Sequence, residues 1–211
     1  MTDGLLELRV AWERHLGKGP GSRDWFDSVL SRYREPQRRY HDVRHLRWVV
    51  RHVETLAGGR TVADLDAIVA AAFFHDVIYD PTGRDNETAS GRLAVRALTE
   101  LGWDRHRSAA VEAMIVGTAQ HDLDGASVDD AVLSAADLGV LAADPAGYSD
   151  YVRNVRHEYR HVSDADWVTG RSALLRSLLE RETIYAPFLD LDEWEARARG
   201  NITAELDTLA G

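Results

Sequence analysis

The chain contains no cysteine among its 211 residues. This absence excludes a disulfide scaffold, an iron–sulfur cluster, a zinc site built on thiolates and a cysteine nucleophile. The longest apolar run covers residues 67–74, far short of the ~20 residues that span a bilayer. The first residues lack the basic start and the apolar stretch of a signal peptide. These features predict a cytoplasmic protein with no membrane partner.

The chain has fewer basic than acidic residues. Lysine and arginine together number 25, and Lys18 is the only lysine, whereas aspartate and glutamate number 35, so the formal net charge is −10. An acidic surface without a dense basic block repels nucleic-acid backbones, so we predict no nucleic-acid polymer as a partner. The net negative charge does not exclude a small anionic substrate, because a metal ion and a few arginines can make the electrostatic potential positive inside one pocket. The sequence indicates no oligomeric state.

The apolar pattern is helical nearly throughout, and strand signals are weak. All five prolines fall between the periodic segments, as helix-breaking residues should. We therefore predict one all-α domain over residues 1–211, a helical bundle of about eight to ten helices. The expected helices cover residues 5–16, 22–35, 40–57, 62–76, 87–101, 105–119, 128–143, 146–161, 164–184 and 192–209.

Two acidic positions interrupt apolar helix faces. The stripe of the fourth predicted helix continues into His75 and Asp76, and Asp137 lies within an Ala/Leu-rich segment. A buried carboxylate is costly unless it is paired, hydrogen-bonded or bound to a metal ion. Each acid is therefore either a metal ligand or one half of a buried ion pair. His41 and His45, spaced four apart, would share one face of a helix and converge on one centre.

The order of these residues, H…HD…D, resembles the signature of the HD superfamily of metal-dependent phosphohydrolases. The closer similarity is to the group described as predicted metal-dependent HD-superfamily phosphohydrolases, with a distant likeness to cyclic-nucleotide phosphodiesterases. It covers roughly residues 30–160, on which helices 164–209 would pack. The similar segments are EPQRRYH at 35–41, FHDVIYD at 74–80, DNE at 85–87, TAQH at 118–121, ADL at 136–138 and VRHEY at 155–159.

The resemblance implies one divalent metal ion, held by four ligands. The likeness to the phosphodiesterases further implies that His41 is a general acid and not a ligand. Where those enzymes carry a further histidine, four positions after the histidine of the doublet, this chain has Tyr79. The implied ligands are His45, His75, Asp76 and Asp137.

A second ion would need other ligands. His121 and Glu87 are candidate ligands for that second ion. The helix dipole offers another explanation for each, because it favours a cation such as His121 at the end of a helix and an anion such as Glu87 at its start. Arg38 and Arg156 are candidates for binding a phosphate, and Tyr79 for lining the pocket. For either arginine, the ordinary alternative is a side chain on a helix surface that is solvated and binds no substrate.

The implied function is hydrolysis of a phosphate ester of a small anionic substrate, most simply a nucleotide, by metal-activated water. His41 would protonate the leaving oxygen, and Asp76 would orient or deprotonate the water. A ligand set of nitrogen and oxygen suits Mn²⁺, Fe²⁺, Co²⁺, Ni²⁺, Mg²⁺ or Zn²⁺. The alternatives are an HD-fold metal-dependent oxygenase and a metal-retaining module that senses a ligand.

Overall fold

The computed structural model describes residues 3–211, which form ten α-helices, two short 3₁₀ helices and no β-strand. The predicted all-α class with eight to ten helices is confirmed. None of the helices in this range combines the length and apolar composition that crossing a membrane requires. The helices are α1 (Asp3–His15), α2 (Ser22–Arg32), α3 (Val43–Ala57), α4 (Leu65–Phe74), α5 (Asn86–Glu100), α6 (Arg105–Gly117), α7 (Val128–Asp137), α8 (Pro145–Glu158), α9 (Asp164–Glu180) and α10 (Asp192–Ala210), with 3₁₀ helices Leu138–Ala142 and Pro187–Leu189.

Contacts divide the chain into two compact units, the first ending at Ala136 and the second beginning at Asp137. The boundary falls in the last turn of α7, so Asp137 is the final residue of a helix that otherwise belongs to the first unit. The prediction of one domain over residues 1–211 stays a prediction.

Helix α4 is the centre of the first unit. All of its residues from Ala67 to Phe74 are buried, and α1, α3, α5 and α6 contact it. Trp12 of α1 packs edge-on against Phe73, with ring centroids 5.1 Å apart. This arrangement explains why α4 has an apolar sequence without an amphipathic period, because a helix that is surrounded has no solvent face.

Polar contacts fix the N-terminal end of α4. Its N-cap residue, Asp64, accepts two hydrogen bonds from Arg107 of α6, at 2.6 and 2.8 Å. Asp129, at the start of α7, accepts hydrogen bonds from the backbone N–H groups of Ala63 and Asp64. The starts of α4, α6 and α7 are thereby joined, which sets where the opposite ends of α4 and α7 lie.

The second unit contains a buried ion pair between α9 and α10. Arg171 donates two hydrogen bonds to Glu205, at 2.8 and 3.0 Å, and both side chains are 5% exposed. The hydroxyl of Tyr148, on α8, donates to the same carboxylate at 2.6 Å. Burial raises the pKa of Tyr148, and its bond to Glu205 raises it further, so the phenol stays protonated. One carboxylate therefore links three helices.

We expect Glu205→Ala to lower the free energy of unfolding by about 3–5 kcal/mol, because it leaves the buried guanidinium of Arg171 without its counter-charge. Asp207→Ala, at an exposed position of the same helix, should change it by no more than about 0.5 kcal/mol. Urea unfolding of both variants measures the difference. Equal stability of the two would mean that the buried pair does not hold this unit together.

Candidate metal centre

His45 lies in the first turn of α3. The helix begins after Asp42, whose carboxylate accepts hydrogen bonds from the backbone N–H groups of Arg44 and His45 at 2.7 and 3.4 Å. An N-cap aspartate at this position fixes where the helix starts. His41 therefore precedes the helix, and the prediction that His41 and His45 share a helical face is wrong. His45 itself is buried, with 4% of its surface exposed.

His75 and Asp76 follow the end of α4. The predicted helix reaches residue 76, but α4 ends at Phe74, and Asp76 lies in the turn beyond it. His75 keeps helical dihedral angles, and its Nδ1 donates a hydrogen bond of 2.9 Å to the carbonyl of Ala72. Because a carbonyl only accepts, the hydrogen must be on Nδ1, and the Nε2 of the neutral ring then carries the lone pair.

Asp137 ends α7, and the chain continues directly into the 3₁₀ helix Leu138–Ala142. The predicted helix over 128–143 therefore changes geometry at this acid. One ligand atom from each of His45, His75 and Asp137 lies within 4.8 Å of the others, which is close enough for the three residues to hold one metal ion. The expected convergence of these three residues from three helices is found.

The fourth expected ligand lies against the same atoms. Nε2 of His45 is 3.1 Å from Nε2 of His75, and Oδ2 of Asp76 is 3.5 and 3.2 Å from these two nitrogens. Two ligand atoms about 2.1 Å from one metal ion are about 3.0 Å apart at a right angle and about 3.4 Å apart at a tetrahedral angle. Two of the three separations lie in that range and the third, 3.5 Å, is just above it. Asp137 adds a carboxylate within 4.8 Å of the histidine ligand atoms, so His45, His75, Asp76 and Asp137, here called the His-Asp cluster, could hold a single divalent ion.

The electrostatics of the His-Asp cluster also favour a cation. With the lone pair of His75 on Nε2, that nitrogen and the Asp76 carboxylate are both acceptors that face Nε2 of His45. Either a hydrogen on Nε2 of His45 or a metal ion satisfies them, and a metal ion would take the place of that hydrogen. Burial raises the pKa of Asp76, but the adjacent His75, His41 and His45 outweigh it and hold this pKa well below its ordinary value. Asp76 is therefore a carboxylate, the form that binds a metal ion.

His41 borders the His-Asp cluster without belonging to it. Its ring centroid is 5.5 Å from that of His45, and it stacks on Tyr79 at 4.2 Å with an interplanar angle of 30°. Tyr40 contacts both histidines, with ring centroids 4.8 Å from each. The aromatic rings hold His41 beside the possible ligands, where the prediction of a general acid needs it to be.

The two arginines proposed to bind phosphate instead contact the chain's own groups. The side chain of Arg38 is fully buried and donates to the carbonyls of His41, Asp76 and Val77, at 3.1, 2.7 and 3.2 Å. In the second unit, Arg156 donates to the carbonyl of Tyr159 and to two further acceptors beyond the end of α8. Their geometry is that of residues that stabilise the backbone, which argues against the phosphate contact expected of them.

His121 and Glu87 are absent from the group of three potential ligands found among the described residues. His121 follows α6, and its Nδ1 is 2.9 Å from the hydroxyl of Ser134 on α7. Glu87 lies in the first turn of α5, where the helix dipole favours an acid. The donor arrangement thus favours a mononuclear centre.

Two supporting residues were not predicted. The hydroxyl of Tyr33, a fully buried residue, accepts a hydrogen bond of 3.3 Å from the backbone N–H of Asp76. Burial raises the pKa of Tyr33 to about 12. The hydroxyl of Ser90, on α5, accepts from the backbone N–H of Ile78 at 3.0 Å. No sequence pattern identifies Tyr33 or Ser90 as a supporting residue, because each accepts a hydrogen bond from a backbone N–H group that is twelve or more positions away in the chain.

We expect Arg38→Met to lower the free energy of unfolding by about 3 kcal/mol or more, because each buried carbonyl that loses its donor costs about 1–3 kcal/mol. Arg44→Met is the matched control: the Arg44 side chain is 72% exposed, and its ion pair should contribute at most about 1 kcal/mol. Urea unfolding of metal-free protein gives both values. Unchanged stability of Arg38→Met, with weaker binding of a phosphate ester, would restore the substrate-binding role.

Comparison of the chain with protein-family models, with curated proteins and with solved structures found no match. The geometry of the His-Asp cluster and the sequence pattern that led to it are thus the basis on which a function can be argued.

Proposed function

We propose that this protein is a metal-dependent phosphohydrolase that cleaves a phosphate ester of a small anionic molecule, most simply a nucleotide. The observation that carries the proposal is the His-Asp cluster, whose nitrogen and oxygen atoms have the spacing of ligands on one ion. The resemblance of the H…HD…D pattern to the HD superfamily supports the same function. The reaction type comes from this resemblance, and the metal site from the geometry.

The donor set defines the class of ion. Two imidazole nitrogens and two carboxylates suit a first-row divalent ion or Mg²⁺, and would leave about two positions of an octahedral ion for other ligands. The tautomer of His75 is already the one that ligation requires, because the carbonyl of Ala72 holds its other nitrogen. Such an ion, when bound, lowers the pKa of a coordinated water and polarises a phosphoryl group.

The chain's own residues supply the proton transfers. The Asp76 carboxylate, one oxygen of which faces the two histidines, can orient a water molecule and accept its proton. Attack of the hydroxide oxygen on phosphorus forms one P–O bond while the bond to the alcohol oxygen breaks. His41, when protonated, gives its proton to that departing oxygen, so the products are an alcohol and inorganic phosphate.

Two alternative functions predict different outcomes of the same assays. An oxygenase built on a di-iron centre would need further histidine ligands, and His121 is not in the group that His45, His75 and Asp137 form. A ligand-sensing module would bind the metal ion without turnover. No distance in the His-Asp cluster favours either over hydrolysis.

We expect the purified protein to bind close to one divalent ion per chain. Chelation should lower its melting temperature, since a ligand present at 100 times its dissociation constant stabilises the folded state by about 2.7 kcal/mol. His75→Ala should lose the ion, whereas His121→Ala and the exposed control His106→Ala should keep it. Elemental analysis and calorimetry measure both effects. Wild-type protein that neither binds an ion nor responds to a chelator would contradict the metal site.

We expect wild-type protein to hydrolyse at least one phosphate ester in a metal-supplemented screen, and Asp76→Ala to be inactive because it loses the ion. His41→Ala should keep the ion and lose roughly 10²–10⁴-fold in turnover, the usual contribution of a general acid. Metal content and phosphate release are measured on the same samples.

His41→Ala that loses the metal ion as completely as His45→Ala does would show that His41 is a ligand. Consumption of dioxygen by the ferrous protein, with no ester cleaved under any metal, would favour the oxygenase.

A further inference from the structure

A cavity of about 130 Å³ lies in the first unit, between the loop after α6 and the face of α7 that carries Asp130 and Ser134. Its polar walls include Thr118 and His121 from the loop and Asp130 and Ser134 from α7. Met114 supplies an apolar wall. The cavity is separate from the four side chains of the His-Asp cluster, none of which lines it.

The cavity lies on the same face of α7 as Asp137. Asp130, Ser134 and Asp137 follow one another at intervals of four and three residues, so their side chains form one stripe along the helix. The Cβ atoms of neighbours in such a stripe are about 5–6 Å apart. A small molecule that contacts Asp137 through one of its ends can therefore place the other end in the cavity.

His121 is held at the cavity by a strained backbone. Its φ of 47° lies in the left-handed region, which costs a non-glycine residue about 1–2 kcal/mol. The ring lines the cavity, and its Nδ1 is 2.9 Å from the hydroxyl of Ser134, which is 92% buried. Glycine would adopt this backbone conformation without strain, so the turn itself does not require a histidine at this position.

The chemistry of the walls excludes a phosphate and fits hydroxyl groups. No lysine or arginine lines the cavity, whereas three aspartates do, so an anionic group would be repelled. The carboxylates of Asp122 and Asp130 already accept hydrogen bonds from the loop. The imidazole and the two hydroxyls can both donate and accept. An ammonium group only donates, whereas an alcohol does both and so matches this mixture better.

We infer that this cavity binds the polyhydroxylated, sugar-like part of the substrate, while its phosphate is directed to the His-Asp cluster. The inference rests on the proposed function for the phosphate and on the cavity for the sugar. An enclosed cavity of about 150 Å³ holds benzene. This one, at about 130 Å³ and with an exposed rim, has room for the five-membered ring of a pentose. Asp122 and Asp124 are exposed, which leaves the polar rim open to the hydroxyls of that ring.

The first experiment measures binding of free D-ribose to the full chain by ligand-observed NMR, so that it does not depend on hydrolysis. We expect ribose to bind wild-type protein and to bind at least tenfold more weakly to His121→Gly and Ser134→Ala. Ser177→Ala, a change at an exposed serine of α9, should bind ribose as wild type does. His121→Gly should keep or raise the melting temperature, because glycine removes the backbone strain.

Putrescine, a diamine whose ammonium groups only donate hydrogen bonds, is the comparison ligand. Failure of wild-type protein to bind ribose, or binding of putrescine in place of ribose, would overturn the inference. A His121→Gly variant that melts lower and still binds ribose would likewise overturn it, since His121 would then only stabilise the loop.

The second experiment compares hydrolysis of ribose 5-phosphate with that of ethyl phosphate. We expect kcat/KM at least tenfold higher for the sugar phosphate, and a loss of that preference, chiefly through KM, in Ser134→Ala. Equal kcat/KM for the two esters in wild type would overturn the sugar assignment. Ribose binding without cleavage of either ester would uphold the sugar site and reject the proposed function instead.

Discussion

The buried guanidinium of Arg38 joins the two segments that carry the histidines. It donates to the carbonyl of His41 on one side and to those of Asp76 and Val77 on the other. A guanidinium presents five donors in one rigid plane, which lets a single side chain satisfy several backbone carbonyls. If this link were broken, the segment before α3 and the turn after α4 would keep the stack of His41 on Tyr79 but would lose the hydrogen bonds that fix the backbone at His41 and Asp76.

The residues of the His-Asp cluster lie at helix ends, and there is a physical reason for this. A helix end leaves backbone groups without partners inside the helix, so polar side chains collect there, and the chain can change direction. Asp42 fixes the start of α3 and places His45 in its first turn, and the carbonyl of Ala72 orients His75 at the end of α4. Both histidines are buried, with 4% and 1% of their surfaces exposed.

The number and position of the helices could be predicted from the sequence because proline and the spacing of apolar residues act locally. The errors are at helix ends. The predictions for α3 and α4 run past Asp42 and Phe74, because an apolar stripe does not show where capping hydrogen bonds stop a helix. The phosphate-binding role of Arg38 stays a prediction, because the sequence does not distinguish an arginine that binds a phosphate from one that donates to backbone carbonyls, as Arg38 does.

The sequence by itself determined the all-α class, and it marked His75, Asp76 and Asp137 as polar residues on apolar faces, which are visible without coordinates. Their grouping with His45 came from the resemblance of the H…HD…D order to the HD superfamily. The tertiary structure decided which atoms meet, since the separations of 3.1 and 3.5 Å from Nε2 of His45 to His75 and Asp76 join residues that are thirty or more positions apart. It also decided the burial of Arg38 and the cavity beside α7. Each of these depends on residues that packing brings together, and the local spacing of residues along the chain does not specify which distant residues come into contact.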